Sequence, residues 1–174
     1  MPLYLIGYMG CGKTTLARKL ARRFGLRAVD TDEAVERAEG ASVADIFRYE
    51  GEAHFRGIER RVLEEISSSS DDAIVSTGGG LPAWGDNMEF MNAAGRTVYL
   101  RRSAEQIASR LSPYGRRKRP RLRGLDDAEL VEFMRQDIAA REPFYSRAHL
   151  VVDCMGLSDD GIAAIIEKWL HDDE

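Results

Sequence analysis

Residues 7–14, GYMGCGKT, satisfy the spacing G-x-x-x-x-G-K-[ST] directly after an apolar run and directly before a helical pattern. That spacing has chemical meaning only where a strand feeds a helix through a tight loop, so it commits the chain to a strand-loop-helix opening. Chance produces the match in roughly three of a thousand chains of this composition. Gly7, Gly10 and Gly12 let the backbone curl with its N–H groups aimed at phosphate oxygens, an approach that side chains would obstruct. Lys13 brings a point charge to the β- and γ-phosphates, Thr14 offers a hydroxyl suited to Mg2+, and the helix behind them turns its positive end to the anion. Thr15 is a further contact. Cys11 sits at the same helix start, where a thiolate is favoured; a reactive thiol and a small loop residue both fit it.

The remaining chain alternates short apolar runs with longer amphipathic segments. Strands are expected at Leu3–Ile6, 28–29, 73–75, 97–100 and 150–152. Helices are expected at Lys13–Phe24, 32–39, 43–49, 52–66, 86–93, 104–111, 127–141 and 159–170, with Ser42, Ser103 and Ser158 as N-caps. Such alternation specifies an α/β fold with a parallel sheet wrapped by helices. With 174 residues, one domain over 1–174 is expected. The polar serine run at 67–72 reads as a helix-to-strand loop, and no internal repeat is present.

Composition removes several function classes. Hydrophobic residues at 44% and charged residues at 31% exclude disorder and collagen-like repetition. Against 25 Lys plus Arg stand 29 Asp plus Glu, so the net charge of −4 gives no global field for nucleic acid or anionic lipid. Cys11 and Cys154 lack CxxC spacing and a His cluster, which leaves no zinc site or disulfide framework and fits a reducing, cytoplasmic compartment. His54, His149 and His171 are too dispersed for a triad or metal site and read as surface or packing residues. No stretch approaches the roughly 18 apolar residues of a membrane span, and residues 3–6 lack the basic flank of a secretory signal.

Three further clusters carry chemistry. Asp30-Thr31-Asp32 follows the second strand, placing two acids at a carboxyl end, where open α/β sheets bind ligands. As residues i and i+2 of an extended strand they are expected to project alike, one orienting metal-bound water and the other meeting an acceptor hydroxyl; capping of the next helix is the alternative. Arg56 and Glu59 share one helix face, either as an exposed ion pair of a few tenths of a kcal/mol or as an arginine steered to bind a carboxylate bidentately. Gly78-Gly79-Gly80 ends the third strand and lets a small polyol or carboxylate approach main-chain N–H groups. Arg141 precedes Glu142-Pro143, near a helix end that favours cations on structural grounds, and as a partner to Arg56 it completes a two-arginine clamp. Residues 112–125 hold the basic run Gly115-Arg116-Arg117-Lys118-Arg119 between glycines and prolines, and read as a phosphate-closing lid in preference to a solvated loop or a nucleic-acid patch.

Together the P-loop GYMGCGKTT, Asp30-Thr31-Asp32, EGEAHFRGIE at 50–59, STGGG, KRPRL and AREPFYSRA resemble shikimate kinases, in the family's order and over essentially the whole chain. The resemblance implies a P-loop kinase fold of three α/β/α layers, with a five-stranded parallel sheet in the order 2-3-1-4-5, an acceptor-binding helical region at about 31–60 and a lid. It implies ATP held by Gly10, Cys11, Gly12, Lys13, Thr14 and Thr15, and Mg2+ at Thr14 with Asp30 acting through water. Shikimate is then held by Asp32, Arg56, Gly78, Gly79, Gly80 and Arg141. Asp32, Lys13 and Arg119 are the implied catalytic residues, and Arg110 matches the arginine near the adenine. The implied activity is transfer of the γ-phosphoryl of ATP to the 3-hydroxyl of shikimate, a step towards chorismate and the aromatic amino acids, by a cytoplasmic monomer with no nucleic-acid or membrane partner. Arg121 departs from the pattern by standing where the family usually has an apolar residue, and Arg117 and Arg121 remain candidates beside Arg119 for meeting ATP. Two other readings are a related small-molecule kinase such as a gluconate kinase and a nucleotide-binding switch or sensor without turnover; EGEAHFRGIE argues against the first and the intact Lys13, Thr14, Asp30 and Asp32 against the second.

Overall fold

The apolar run ahead of the P-loop forms β1 (Leu3–Ile6), with all four side chains buried. It is central because it is apolar on both faces, as a strand covered on two sides must be. The computed structural model describes residues 1–69, 71–117 and 119–172. Ser70 of the serine run, Lys118 of the basic run and the last two residues lie outside them. Around β1 the sheet is completed by β2 (Arg27–Asp30), β3 (Ala73–Ser76), β4 (Arg96–Arg101) and β5 (Leu150–Asp153). Pairing is parallel throughout and the order is 2-3-1-4-5, as the resemblance implied. β3 is fully buried like β1, whereas the edge strands β2 and β5 are partly exposed.

The helices are α1 (Lys13–Phe24), α2 (Thr31–Glu39), α3 (Val43–Glu50), α4 (Glu52–Ser68), α5 (Asn87–Ala94), α6 (Ala104–Arg110), α7 (Pro113–Arg117), α8 (Asp127–Tyr145) and α9 (Asp159–Asp172). Ser42 and Ser103 accept the expected first-turn N–H bonds, Ser103 within a full capping box, and Ser158 accepts from the Gly161 N–H. Two expectations are corrected. Within the lid segment, where no helix was expected, Pro113–Arg117 form the single turn and a half of α7 and Pro120–Leu122 a 3₁₀ turn. And α8 continues through Pro143 to Tyr145, so Arg141 lies in the helix, a turn before its end.

Two apolar clusters form. The main one gathers β1, β3 and β4 with α1, α5, α6, α8 and α9. The second is small, Val35, Ile46, Phe55, Ile58 and Val62, and belongs to α2, α3 and the stretch of α4 up to Val62. Ile66 of α4 packs against both clusters.

Candidate active site

The loop from Gly7 to Gly12 curls at the carboxyl end of β1 through positive φ angles of 76° at Gly10 and 100° at Gly12, which glycine adopts without strain. Gly12 is the N-cap of α1 and brings no side chain to its first turn, so those N–H groups face the loop's hollow. Lys13, 7% exposed, donates to the carbonyls of Gly7 at 2.8 Å and Tyr8 at 2.9 Å. Arg102, 7% exposed, fixes the loop from behind: its Nε donates to the Cys11 carbonyl at 3.0 Å. Cys11 itself is buried beneath the loop, a small packing residue.

Behind Lys13, three oxygen-bearing side chains meet. Thr14 Oγ1 donates to Asp30 Oδ2 at 2.8 Å and lies 3.1 Å from the Ser76 hydroxyl. The other oxygen of Asp30 accepts from the N–H groups of Asp32 at 3.0 Å and Glu33 at 3.4 Å. Asp30 is thus both the cap of α2 and a partner of Thr14, so the capping role is borne out and leaves its other oxygen beside the P-loop threonine. Its capping corrects the expected strand geometry: α2 begins at Thr31, and Asp32 lies in the helix's first turn, not two residues along an extended strand.

Against the glycine triplet, Arg56 and Glu59 are buried at 9% and 0% exposure and joined at 2.6 Å, which discards the exposed-pair alternative. Arg56 lies among the rings of Phe55, Trp84 and Phe47, with its Cζ 5.2, 5.9 and 6.0 Å from their centroids. Its Nε and the Oε1 of Glu59 have no hydrogen-bond partner among the described residues. Burial raises the Glu59 carboxyl to about 7 against the opposing pull of Arg56. Burial, reinforced by the Asp30 charge, raises Asp32 to about 6, with Lys13 and Arg56 pulling the other way.

The glycine triplet is read directly from what a methyl group would meet. At Gly78 it would stand 2.7 Å from Glu59 Oε1 and 2.8 Å from Asp32 Oδ1; at Gly79, 3.5 Å from Arg141 Nη1; at Gly80, 2.8 Å from Arg56 Cζ. Bare backbone is what lets these four charged groups converge. One expectation fails here: the Gly78 N–H is engaged by Thr31 Oγ1 at 2.8 Å and is not offered to a ligand. Gly79 is anchored through its carbonyl, which accepts from the Tyr145 hydroxyl.

Lys13, Thr14, Asp30, Asp32, Ser76, Gly78 and Gly79 border one open cleft of about 380 Å3 that also takes in Thr15, Arg110 and Arg119, while Arg56, Glu59 and Arg141 meet it only through their approach to the glycine turn. Thr15 is exposed at its rim. Arg119 donates to the Gly115 carbonyl at 2.7 Å, and burial lowers its pKa against the opposing pull of Asp32 and Tyr8. Arg116 pairs with Asp127 and Arg121 with Asp137; neither borders the cleft, so Arg119 is the arginine of this segment that does. Sequence reasoning missed Ser76, Thr31, Tyr145, Arg102 and Asp137. Ser76 stands in the quoted STGGG and Tyr145 in AREPFYSRA, but their partners are 62 and 66 residues away, and no local pattern announces them.

A family model described as shikimate kinase matches residues 9–171. A shikimate kinase of Parabacteroides distasonis is 44% identical over 87% of this chain and 86% of its own. Among solved structures, the shikimate kinase of Bacteroides thetaiotaomicron superposes with a TM-score of 0.90 at 34% identity, covering 98% of each chain. The Acinetobacter baumannii shikimate kinase in complex with shikimate does so with 0.88 at 32% identity, covering 99% of this chain and 94% of the other.

Proposed function

The chain belongs to the shikimate kinase family, and on that premise we propose how its cleft moves the γ-phosphoryl group of ATP to the 3-hydroxyl of shikimate, giving shikimate 3-phosphate and ADP. The P-loop N–H groups and the start of α1 cradle the phosphates of ATP. Lys13 exchanges its two carbonyl partners for the β- and γ-phosphates, and Arg110 borders the nucleotide. Thr14, Asp30 and Ser76 form a hard oxygen set that fits Mg2+, with Thr14 holding the ion and Asp30 acting through water. When bound, the ion supplies neutralising charge at the β- and γ-oxygens.

Arg56 and Arg141 clamp the acceptor's carboxylate, and Gly79 and Gly80 let the ring lie against the backbone. Asp32 accepts the hydrogen bond of the reacting hydroxyl, which orients its oxygen for in-line attack and gives its proton a place to go. Lys13 and Arg119 stabilise the charge of the moving phosphoryl group. Residues 112–125 close over both substrates and exclude water, which keeps hydrolysis slow without acceptor. The partners are these small molecules alone, and the enzyme works as a monomer in the cytoplasm. That reading is supported by the completeness of the site within one chain, by two free cysteines and by the absence, among the described residues, of a helix long and apolar enough to cross a membrane.

The observation that carries the reading is the convergence of Asp32, Arg56 and Arg141 on a bare glycine turn beside the P-loop, a cradle for a small anion that also bears hydroxyls. A coupled assay of ADP release with Mg·ATP and shikimate, gluconate or no acceptor tests it. Release that depends on shikimate is expected; release without acceptor, or with gluconate alone, overturns it. Lys13→Met is expected to lower kcat by about 10²–10³-fold with the fold intact.

A further inference from the structure

The carboxylate of Asp137 lies outside the residues assigned so far, yet three separate parts of the molecule meet at one of its oxygens. Oδ2 accepts from the Tyr8 hydroxyl of the P-loop at 2.8 Å, pairs with Arg141 Nη2 at 3.3 Å and faces Arg121 Nη1 of the 112–125 segment at 3.6 Å. Phe133, Asp137 and Arg141 follow one another at i, i+4 on α8, and the Arg121 guanidinium lies 5.1 Å from the Phe133 ring centroid, so Arg121 rests on two successive steps of that stripe. Arg141 in turn lies 5.3 Å from the Tyr8 ring centroid. Asp137 and Arg141 are each 14% exposed, so their charges act on one another with little screening.

Charge counting gives the consequence. With Arg121 away, Asp137 and an incoming carboxylate compete for the one guanidinium of Arg141, and the two anions repel. With Arg121 seated, as here, Asp137 is shared between two cations, so its hold on Arg141 at 3.3 Å is weakened and the guanidinium can turn to the acceptor. We propose that Arg121 is a positioning residue that couples seating of the 112–125 segment to acceptor affinity, by neutralising Asp137 and so freeing Arg141. This rests on the phosphotransfer reading above. It gives the arginine that departs from the family's apolar pattern a role distinct from meeting ATP, which falls to Arg119.

Steady-state kinetics and melting temperatures of the wild type, Arg121→Leu, Asp137→Asn and the double variant test it. Arg121→Leu is expected to raise the shikimate KM about fivefold, leaving kcat, the Mg·ATP KM and the melting temperature nearly unmoved. In the Asp137→Asn background, where no charge is left to neutralise, the same substitution is expected to change nothing. Arg121→Lys, which keeps the charge, recovers most of the affinity. An unchanged shikimate KM in Arg121→Leu, or an equal rise in both backgrounds, overturns the proposal. A wild type without shikimate-dependent turnover brings down the phosphotransfer reading and the proposal with it, which is a different result from an active wild type indifferent to Arg121.

Discussion

Steric fit at Gly80 and burial at Glu59 give two single-residue outcomes of different kinds. A methyl group at Gly80 would stand 2.8 Å from Arg56 Cζ and 2.9 Å from its Nη1. A free arginine would swing away, but this one is held by Glu59 at 2.6 Å and enclosed by three rings. Gly80→Ala is therefore expected to push Arg56 off the acceptor and raise the shikimate KM about tenfold or more, with the Mg·ATP KM unmoved, because a charged hydrogen bond is worth about 1.5–3 kcal/mol. Equal rises in both KM values would show a general distortion instead. Glu59 makes its mark on stability. Its carboxyl lies at about 7 in the fold against an ordinary 4.5, so between these values the folded state binds the extra proton. The stabilisation is complete below pH 4.5 and is lost as pH rises through 7. The melting temperature of the wild type minus that of Glu59→Gln is expected to fall across that window; a flat difference would mean the carboxyl titrates normally.

At the scale of elements, α4 combines a buried charged face with an open one. Gly57, between Arg56 and Ile58, is exposed and has nothing within 4 Å of a methyl position. Gly57→Ala is expected to stabilise the protein by about 0.5–1 kcal/mol through helix propensity alone, measured by urea unfolding, with kinetics unchanged; destabilisation would show that α4 must bend there. The elements were largely legible because their signals are local: apolar runs of two to four residues, serine caps, and a P-loop that joins strand to helix. The sheet order came from the resemblance, since it depends on contacts that no single segment encodes. The failures share a cause. The first turn of α2 was mistaken for strand because Asp30 carries two jobs at once, and α7 was missed because a five-residue helix has no periodicity to detect. Pro143 suggested an end to α8, yet α8 runs past it, to Tyr145, whose hydroxyl anchors Gly79. The site's charged residues were found by type and spacing. That Arg56 and Glu59 are buried, and that Gly78 serves Thr31, follows only from packing between distant segments.

For the molecule as a whole, the two apolar clusters mean that catalysis joins halves of unequal strength. The five buried side chains of the small cluster are few beside the main core, to which the region is tied through Leu63 and Ile66 of α4 and through the Thr31 bond to Gly78. Such a region is expected to open as a unit well below the free energy of global unfolding. In native-state hydrogen exchange, the amides of α3 should exchange through a smaller opening free energy than those of β1, β3 and β4. In the proposed binding mode shikimate contacts Asp32 on α2 and Arg56 on α4, so its binding should raise α3 protection, although α3 supplies no ligand in that mode, while Mg·ATP alone should chiefly protect the P-loop and α1. Exchange of α3 at the global rate, or protection of α3 by nucleotide and not by acceptor, would contradict this division. The weak region is then the side that reads the acceptor and the strong one the side that holds the phosphates. On the proposed mechanism, acceptor binding would order one side of the cleft and closure of residues 112–125 the other, so phosphoryl transfer would require both.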